Sequence, residues 1–507
     1  MAATPTAVSG DDLDLTYDSP RGRWVVAATV LGSAMASIDA TVVGIALPAI
    51  GRDFDTGLAA LQWVVTAYTL TLAGLLLVGG ALGDRYGRRR IFLIGVIWFA
   101  VASLLCGIAP SAGVLIGARA LQGVGAALLT PGSLAIIEAS FIPGDRGKAI
   151  GAWSGLSGVA IAIGPFLGGW LVEVATWRLI FAINLPLAVV VVVVAWRHVP
   201  ESRDPEATGR VDLVGAALVT VGLVGLTYGL IEGSGRGWTD PIVLTALIGG
   251  VLLLVAFVAW EGRARNPLLP LSLFKSTQFS ATNVVTFVVY GALGGALFLL
   301  PIQLQQVSGY TALQAGVSLL PVTALLLALS ARSGALAARI GPRLQMSVGP
   351  VLVGAGLALF TRIDENGDYL TQVLPAVTVL GLGLATTIAP LTATALSTAP
   401  ARHAGMASAV NNDVARAAGL IAVAVLPALA GITGTAYLDP AKFSAGFHTA
   451  SLISAGLCVL GGALAALTIR NPRPTAPAPP AASHHRSCGI DAPPAPHASA
   501  PVPATGG

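Results

Sequence analysis

The chain has 507 residues, of which 55% are hydrophobic and only 10% charged. A soluble protein is about a quarter charged, so this composition excludes a water-soluble globular chain and places the protein in the membrane class. The net charge of +4 does not predict a nucleic-acid partner, because the basic residues stand in short clusters between apolar segments, the pattern of a membrane-orientation signal.

The first 22 residues carry Asp11, Asp12, Asp14 and Asp18 and lack the basic start and small-residue cleavage site of a secretory signal. They predict a cytoplasmic tail, with the first apolar segment retained as a membrane helix. A spanning helix needs about 20 mostly apolar residues, because a rise of about 1.5 Å per residue must cross about 30 Å of hydrocarbon. Fourteen segments meet that length: 24–50, 61–80, 91–109, 113–137, 148–171, 178–197, 212–231, 241–260, 279–301, 313–335, 344–361, 370–396, 404–432 and 446–468. Gly and Pro recur inside them, as membrane helices tolerate. Residues 471–507 hold ten prolines and many alanines, which cannot build a core and predict a disordered cytoplasmic tail. His484, His485 and Cys488 in that tail are either a metal-binding group or incidental; incidental is the simpler reading, and no metal site is expected. The three cysteines have no metal spacing and imply no disulfide framework.

With the N-terminus inside and strict alternation, twenty-one Lys and Arg fall on the cytoplasmic side and five outside. That bias supports an even helix number and two cytoplasmic ends. Arg119 and Arg416 are left inside spans. Gly80-Ala-Leu-Gly-Asp-Arg-Tyr-Gly-Arg-Arg89, after the second span, is echoed by Gly334-Ala-Leu-Ala-Ala-Arg-Ile-Gly-Pro-Arg343 after the tenth, with six of ten positions identical. Transporters are often built from repeated halves with the substrate site between them. The expected fold is an all-α polytopic membrane protein with fourteen transmembrane helices, two six-helix bundles and two inserted central helices. The expected divisions are a tail 1–22, a first bundle 23–200, an insert 201–275, a second bundle 276–470 and a tail 471–507.

Six stretches carry a family resemblance over about residues 20–470. Gly83-Asp84-Arg85-Tyr86-Gly87-Arg88-Arg89-Arg90 resembles the signature loop of the major facilitator superfamily. Ser37-Ile-Asp39-Ala-Thr41-Val-Val-Gly-Ile-Ala-Leu-Pro48 resembles the first-helix motif of its fourteen-helix drug–proton antiporters. Arg119-Ala-Leu-Gln122-Gly123-Val-Gly125 is similar to the fourth-helix motif, and Gly164-Pro165-Phe-Leu-Gly168-Gly169 to the fifth-helix antiporter motif. Trp177-Arg178-Leu-Ile-Phe-Ala-Ile-Asn184-Leu-Pro186 is also typical of that branch, and Asn411-Asn412-Asp413-Val-Ala-Arg416 resembles its variable thirteenth-helix motif. Gly44 stands where the branch often has Asn, and Ala160 replaces the usual Gly four residues before Gly164; these departures bear on the substrate.

The residues themselves say what such motifs can do. Gly83 and Gly87 permit a tight turn and close helix approach. Asp84 has two openings, capping the next helix or pairing with an arginine across the bundle interface; the resemblance implies that such pairing, with Arg85 and Arg88, gates one face of the transport cycle. The alternative is a basic loop that only enforces topology. Asp39 lies mid-helix, where a charge costs about 2.5–3.5 kcal/mol and usually has a task. It is read as a protonation site, or else as an acid neutralised by a fixed arginine. Arg119 is always charged and cannot carry the proton. It either biases a nearby acid, for which Asp39 is a candidate, or clamps helices, and Gln122 shares its face. Asp413 and Arg416 share a face too, as a local ion pair or a second coupling site. Gly164, Pro165, Gly168 and Gly169 predict a kinked, close-packed helix, which by resemblance marks exporters.

Gln62, Trp63, Tyr68, Gln122, Trp153, Asn283, Tyr290, Gln303 and Asn411 are candidates to line a substrate pocket, since aromatic faces with a few polar groups suit amphipathic or cationic organics. No Gly-x-x-x-x-Gly-Lys-Ser/Thr loop occurs, so no nucleotide cofactor is expected and the proton gradient is the expected drive. No clustered nucleophile and base suggests an enzyme. The expected activity is proton-coupled export of a small organic molecule by a plasma-membrane monomer; an exporter or importer of a native metabolite or lipid is the alternative.

Overall fold

The structure, a computed structural model, describes residues 14–204, 211–397 and 404–471. The expectations for residues 1–13 and for His484, His485 and Cys488 in the C-terminal tail lie outside the described residues. Fourteen helices are long and apolar enough to cross a membrane. They are α1 (Pro20–Phe54), α2 (Leu58–Tyr86), α3 (Arg88–Gly107), α4 (Ala112–Ser140), α5 (Pro143–Val174), α6 (Leu179–His198), α7 (Leu213–Arg236), α8 (Pro241–Glu261), α9 (Thr277–Val307), α10 (Ala312–Ile340), α11 (Arg343–Arg362), α12 (Tyr369–Ser397), α13 (Met406–Leu429) and α14 (Pro440–Thr468). Each matches an expected span, and half run a turn or more beyond it, because polar caps and basic ends extend the helices past the apolar stretch that hydropathy detects.

The helix ends follow local chemistry. Ser19 accepts a hydrogen bond from Gly22 N ahead of Pro20, Ser111 from Val114 N, Asp240 from Ile242 N and Val243 N ahead of Pro241, and Asp439 from Ala441 N and Lys442 N ahead of Pro440. These side chains satisfy amides that the first helical turn leaves open, and Pro fits where no amide is needed. Thr311 and Gln314 form a reciprocal capping box at the start of α10. Gly87 (φ 115°) and Gly341 (φ 89°) end α2 and α10 in backbone that L residues avoid. The echoed decapeptides therefore make the same turn in both halves. Residues just before α1 are pinned: Leu15 N donates to Ser140 O at 2.9 Å, and Ile142 N returns to Leu15 O at 3.1 Å.

Helices α2 and α3 pack on α4, and α1 packs on α5 and α6, making the first six-helix bundle. In the second, α11 packs on α12 and α14, α10 on α12, and α9 on α13 and α14. The inserted α7 and α8 pair with each other, and α7 lies against both α2 and α13. One apolar cluster (Val25, Met35, Phe92, Phe99, Ile137 and neighbours) belongs wholly to the first bundle. A second runs continuously from Val43, Leu47, Ile50 and Leu61 of the first bundle into Leu299, Phe360, Phe443 and Phe447 of the second. The bundles thus share a core at the end where α1 finishes and α2 starts. The inserted α8 carries exposed Ile248, Leu252 and Val255, as a helix solvated by hydrocarbon requires.

Candidate functional site

The polar centre lies inside the first bundle. Asp39 on α1 and Arg119 on α4 are fully buried, at 0% and 1% exposure, and form an ion pair. Gln122 lies one turn beyond Arg119. Its Nε2 donates to Asp39 Oδ1 at 2.7 Å, and its Oε1 accepts from Arg119 Nη1 at 2.6 Å. Asn184 on α6 donates from Nδ2 to Asp39 Oδ1 at 3.1 Å and to Ser103 Oγ of α3 at 2.9 Å. Arg119 Nε donates to Val64 O of α2 at 3.1 Å. Its guanidinium lies over the rings of Tyr68, 4.3 Å from the centroid, and Phe181, 5.8 Å. Five helices converge on one carboxylate–guanidinium pair. The pair persists in hydrocarbon because nearly every polar atom around it is satisfied.

Asn184 and Ser103 were not among the expected site residues. The signal for Asn184 was present, since it is an amide in an otherwise apolar span within the stretch Trp177–Pro186 already matched to the family. A serine in a membrane helix is too common for Ser103 to be singled out.

Asp413 and Arg416 of α13 are set differently. No ion pair or hydrogen bond joins them; Asp413 Oδ1 and Arg416 Nε are buried without a hydrogen-bond partner among the described residues. The charge of Arg416 falls within electrostatic range of Tyr68, which lies under Arg119. Tyr68 stands on α2, which packs on α13 across the seam between the bundles.

The expected pocket residues divide. Gln62 Nε2 crosses the seam to Val423 O at 2.6 Å and Ala424 O at 3.3 Å. Trp63 Nε1 donates to Glu232 Oε1 of α7 at 3.2 Å, and its ring lies 6.2 Å from that of Tyr228, so it docks the inserted helices. Tyr68 donates to Ala36 O at 3.4 Å within the first bundle. Trp153 donates to Ser33 Oγ at 3.1 Å, tying α5 to α1. Asn411 Nδ2 donates to Asn283 Oδ1 at 3.1 Å and Thr286 Oγ1 at 2.9 Å, while Asn283 donates to Phe279 O. These two amides clamp α13 to α9 rather than stand open. Gln303 is likewise a strut, to Ile363 O and Ser444 Oγ. Tyr290 is half-buried on α9.

At the loop 83–90, Asp84 pairs with Arg88 one turn on, at 2.8 Å, and Arg88 Nη1 reaches Ala135 O. Glu201, which follows α6, accepts from Arg89 N at 3.1 Å and Ser202 N at 3.2 Å, beside Gly87. Arg88 N donates to Ser202 O at 2.9 Å, and Asp204 N to Asp84 O at 3.0 Å. These hydrogen bonds and ion pairs join the loop to α4 and to the segment that follows α6. Arg85 lies with its guanidinium 5.3 Å from the Tyr86 ring.

Gly164 and Gly168 of α5 bring that helix against Thr41 and Val42 of α1, and Gly169 lies against the backbone of Ala312 and Leu313 of α10. Gly316 in turn lies against Pro165 O. A side chain at 169 or 316 would collide with backbone of the facing helix, so these two glycines set the contact between the bundles, while Gly164 and Gly168 set the packing of α5 on α1. Leu313 N donates to Glu173 Oε2 at 3.2 Å, Gln305 Nε2 to Ile45 O at 2.9 Å, and Gln306 Nε2 to Tyr437 Oη at 2.8 Å. The last two come from the π-wound final turn of α9, Gln303–Val307. Toward the other end Gly158 meets Leu327 of α10, and beyond it Gly155, Gly151, Gly147 and Gly144 face open space.

Two bundles joined at one end and parted toward the other, around buried charges, define a secondary transporter. The chain belongs to the Major Facilitator Superfamily, whose family pattern matches residues 29–424; it is a multi-pass membrane transporter and not an enzyme. It is 38% identical over 447 residues to the puromycin resistance protein of Streptomyces alboniger, covering 86% of this chain and 88% of that protein. It is 36% identical to the tetracenomycin C resistance and export protein of Streptomyces glaucescens, over 81% of this chain and 76% of that one. The methylenomycin A resistance protein of Bacillus subtilis (strain 168) is 35% identical, over 83% and 90%. Among solved structures, a bacterial homologue of the lysosomal transporter Spinster, inward-facing and unoccupied, superposes with a TM-score of 0.64 at 17% identity, over 89% of this chain and 97% of that one. That likeness concerns the fold alone.

Proposed function

We propose that the protein exports small organic molecules of the drug or antibiotic kind in exchange for protons, by alternating access. The observation that carries the coupling is the buried carboxylate of Asp39 held by Arg119, Gln122 and Asn184. The names of the relatives, which confer resistance to or export puromycin, methylenomycin A and tetracenomycin C, support the cargo class and the direction.

Arg119 stays charged at all accessible pH. A proton arriving on Asp39 therefore strands a buried cation, and Arg119 must find another acceptor or the helices must move. Protonation and conformation are linked through that pair. Asp413 and Arg416 supply the complementary element, a carboxylate oxygen and a guanidinium nitrogen not yet engaged, open to a proton or to polar groups of a substrate. In this reading the saturated Asp39 pair transmits the change, and Asp413 meets the cavity. Asp84, Arg85, Arg88 and the glycines around them gate the end that is parted here. Gly164, Pro165, Gly168 and Gly169 keep the joined end close-packed. With both termini cytoplasmic, as the loop arginines favour, the joined end is the outer one and this state opens inward. The protein is proposed to work as a monomer in the plasma membrane without a cofactor.

The test uses inside-out vesicles, puromycin as probe and an imposed proton gradient. An acid lumen drives puromycin accumulation by the unaltered chain, and Asp39→Asn abolishes it at equal protein level. Gradient-independent accumulation, or pumping by Asp39→Asn at the unaltered rate, rejects the coupling. Accumulation only with an alkaline lumen makes the protein an importer.

A further inference from the structure

We infer that the groove between α3 and α6 on the lipid-facing side, with Arg90 and Arg197 at its mouth, binds one anionic phospholipid. The groove has a volume of about 380 Å³, and every residue lining it is aliphatic. Ile97, Val101 and Leu104 form one wall and Leu185, Val189 and Val193 the other. Such a lining offers nothing to a polar solute. It fits an acyl chain, which gains close packing against a furrow that a smooth helix pair does not provide.

The charge at the mouth selects the head. α3 begins beside the segment that follows α6, because Arg88 N bonds Ser202 O and Arg89 N bonds Glu201. Arg90 lies two turns before Ile97, about 10 Å along the helix, and Arg197 lies one turn beyond Val193, about 6 Å. Both are exposed. The stripe Arg90, Ile94, Ile97, Val101, Leu104 runs down one face of α3, so the cation and the groove share a side.

The nearby acids are engaged elsewhere. Glu201 accepts from Arg89 N and Ser202 N and pairs with the Arg89 guanidinium, and Asp84 pairs with Arg88. Asp204 lies on the same segment, its amide on Asp84 O. Neither Arg90 nor Arg197 has an ion-pair partner among the described residues. Trp196, 68% exposed, stands between Val193 and Arg197, the placement of an aromatic anchor at headgroup level. Long arginine stems reach a phosphate at that level while their methylenes stay in the apolar layer.

Each arginine near a membrane surface contributes about a factor of five toward an anionic lipid. The full-length protein, purified in detergent and titrated with phosphatidylglycerol or phosphatidylcholine, is read by native mass spectrometry for retained lipid. The unaltered chain is expected to retain one phosphatidylglycerol in preference to phosphatidylcholine. Arg90→Gln with Arg197→Gln is expected to lower phosphatidylglycerol retention by roughly twentyfold or more and leave phosphatidylcholine unchanged. Ala100→Phe, which fills the groove, is expected to lower both. Inorganic phosphate is expected not to compete, because the acyl chain supplies the apolar part of the binding. Equal retention of the two lipids by the unaltered chain, or phosphatidylglycerol retention untouched by the double arginine change, overturns the assignment. Competition by phosphate alone replaces the lipid with a free anion and overturns it as well. Because both arginines are exposed and their removal leaves the core intact, a thermal melt on the double variant serves as the folding control.

Discussion

Replacing Asp39 with Asn is the sharpest probe of the buried centre. The amide keeps the volume of the carboxylate, so packing is unchanged and the whole effect is electrostatic. Arg119, 1% exposed, keeps its charge and loses its counter-ion. Removing one member of a buried pair costs about 3–5 kcal/mol, and the Tyr68 and Phe181 rings give no compensation because they face Arg119 in both proteins. Arg119→Gln strands the opposite charge and is expected to cost a similar amount. The double variant strands neither, so its cost falls well below the sum, with a coupling energy of about 2–3 kcal/mol. The measurement is a double-mutant cycle by reversible denaturant unfolding in mixed micelles, alongside puromycin transport. Transport is lost in all three variants, because stability can be restored by removing both charges but proton linkage cannot. Additive costs within about 0.5 kcal/mol would show that the two charges do not act as a pair and would refute the reasoning.

Asp413→Asn is expected to leave folding nearly unchanged, since Asp413 Oδ1 has no hydrogen-bond partner to lose, while abolishing the dependence of puromycin uptake on the vesicle proton gradient. Gly169→Val drives a side chain into the backbone of Ala312 and Leu313; overpacking of this kind costs about 1–3 kcal/mol, and double electron–electron resonance between labels on α5 and α10 is expected to report a wider joined end. Glu201→Ala removes the acceptor for the amides of Arg89 and Ser202, with an expected loss of about 1–2 kcal/mol and faster amide hydrogen exchange at the start of α3. Asp439, outside the membrane at the start of α14, has its carboxyl held below the ordinary value, first by the Lys442 amide. A depressed acid stabilises the folded state above its unfolded value and stops doing so as pH falls through the folded one. Hydrogen exchange at Ala441 and Lys442 is therefore expected to stay slow at neutral pH, after correction for intrinsic rates, and to lose protection only at a pH lower than the ordinary Asp value of about 4.

Much of the fold was legible in the linear chain. Hydrocarbon forces every backbone polar group into a helix, so fourteen apolar stretches translate directly into fourteen spans. The echo of Gly80–Arg89 at Gly334–Arg343 was legible as well, because a positive-φ glycine at 87 and at 341 imposes one turn on both. The ionisable residues at 39, 119, 413 and 416 were visible for the same reason that makes them costly.

Partnership was not visible. Asp39 and Arg119 stand 80 positions apart, and nothing local distinguishes the Asp39 that meets a guanidinium from the Asp413 that shares a face with Arg416 and bonds nothing there. Asn283 and Asn411 read as pocket residues because polarity in a span suggests a cavity, yet two amides on adjacent helices satisfy each other when packing brings them to 3.1 Å. Amino-acid composition and periodicity determined that the chain is a helical membrane protein and where each helix runs, because those depend on transfer from water to lipid residue by residue. Which helices touch, which charges pair, and at which end the bundles close were decided by tertiary packing alone, because those depend on distances between residues that the chain order leaves far apart.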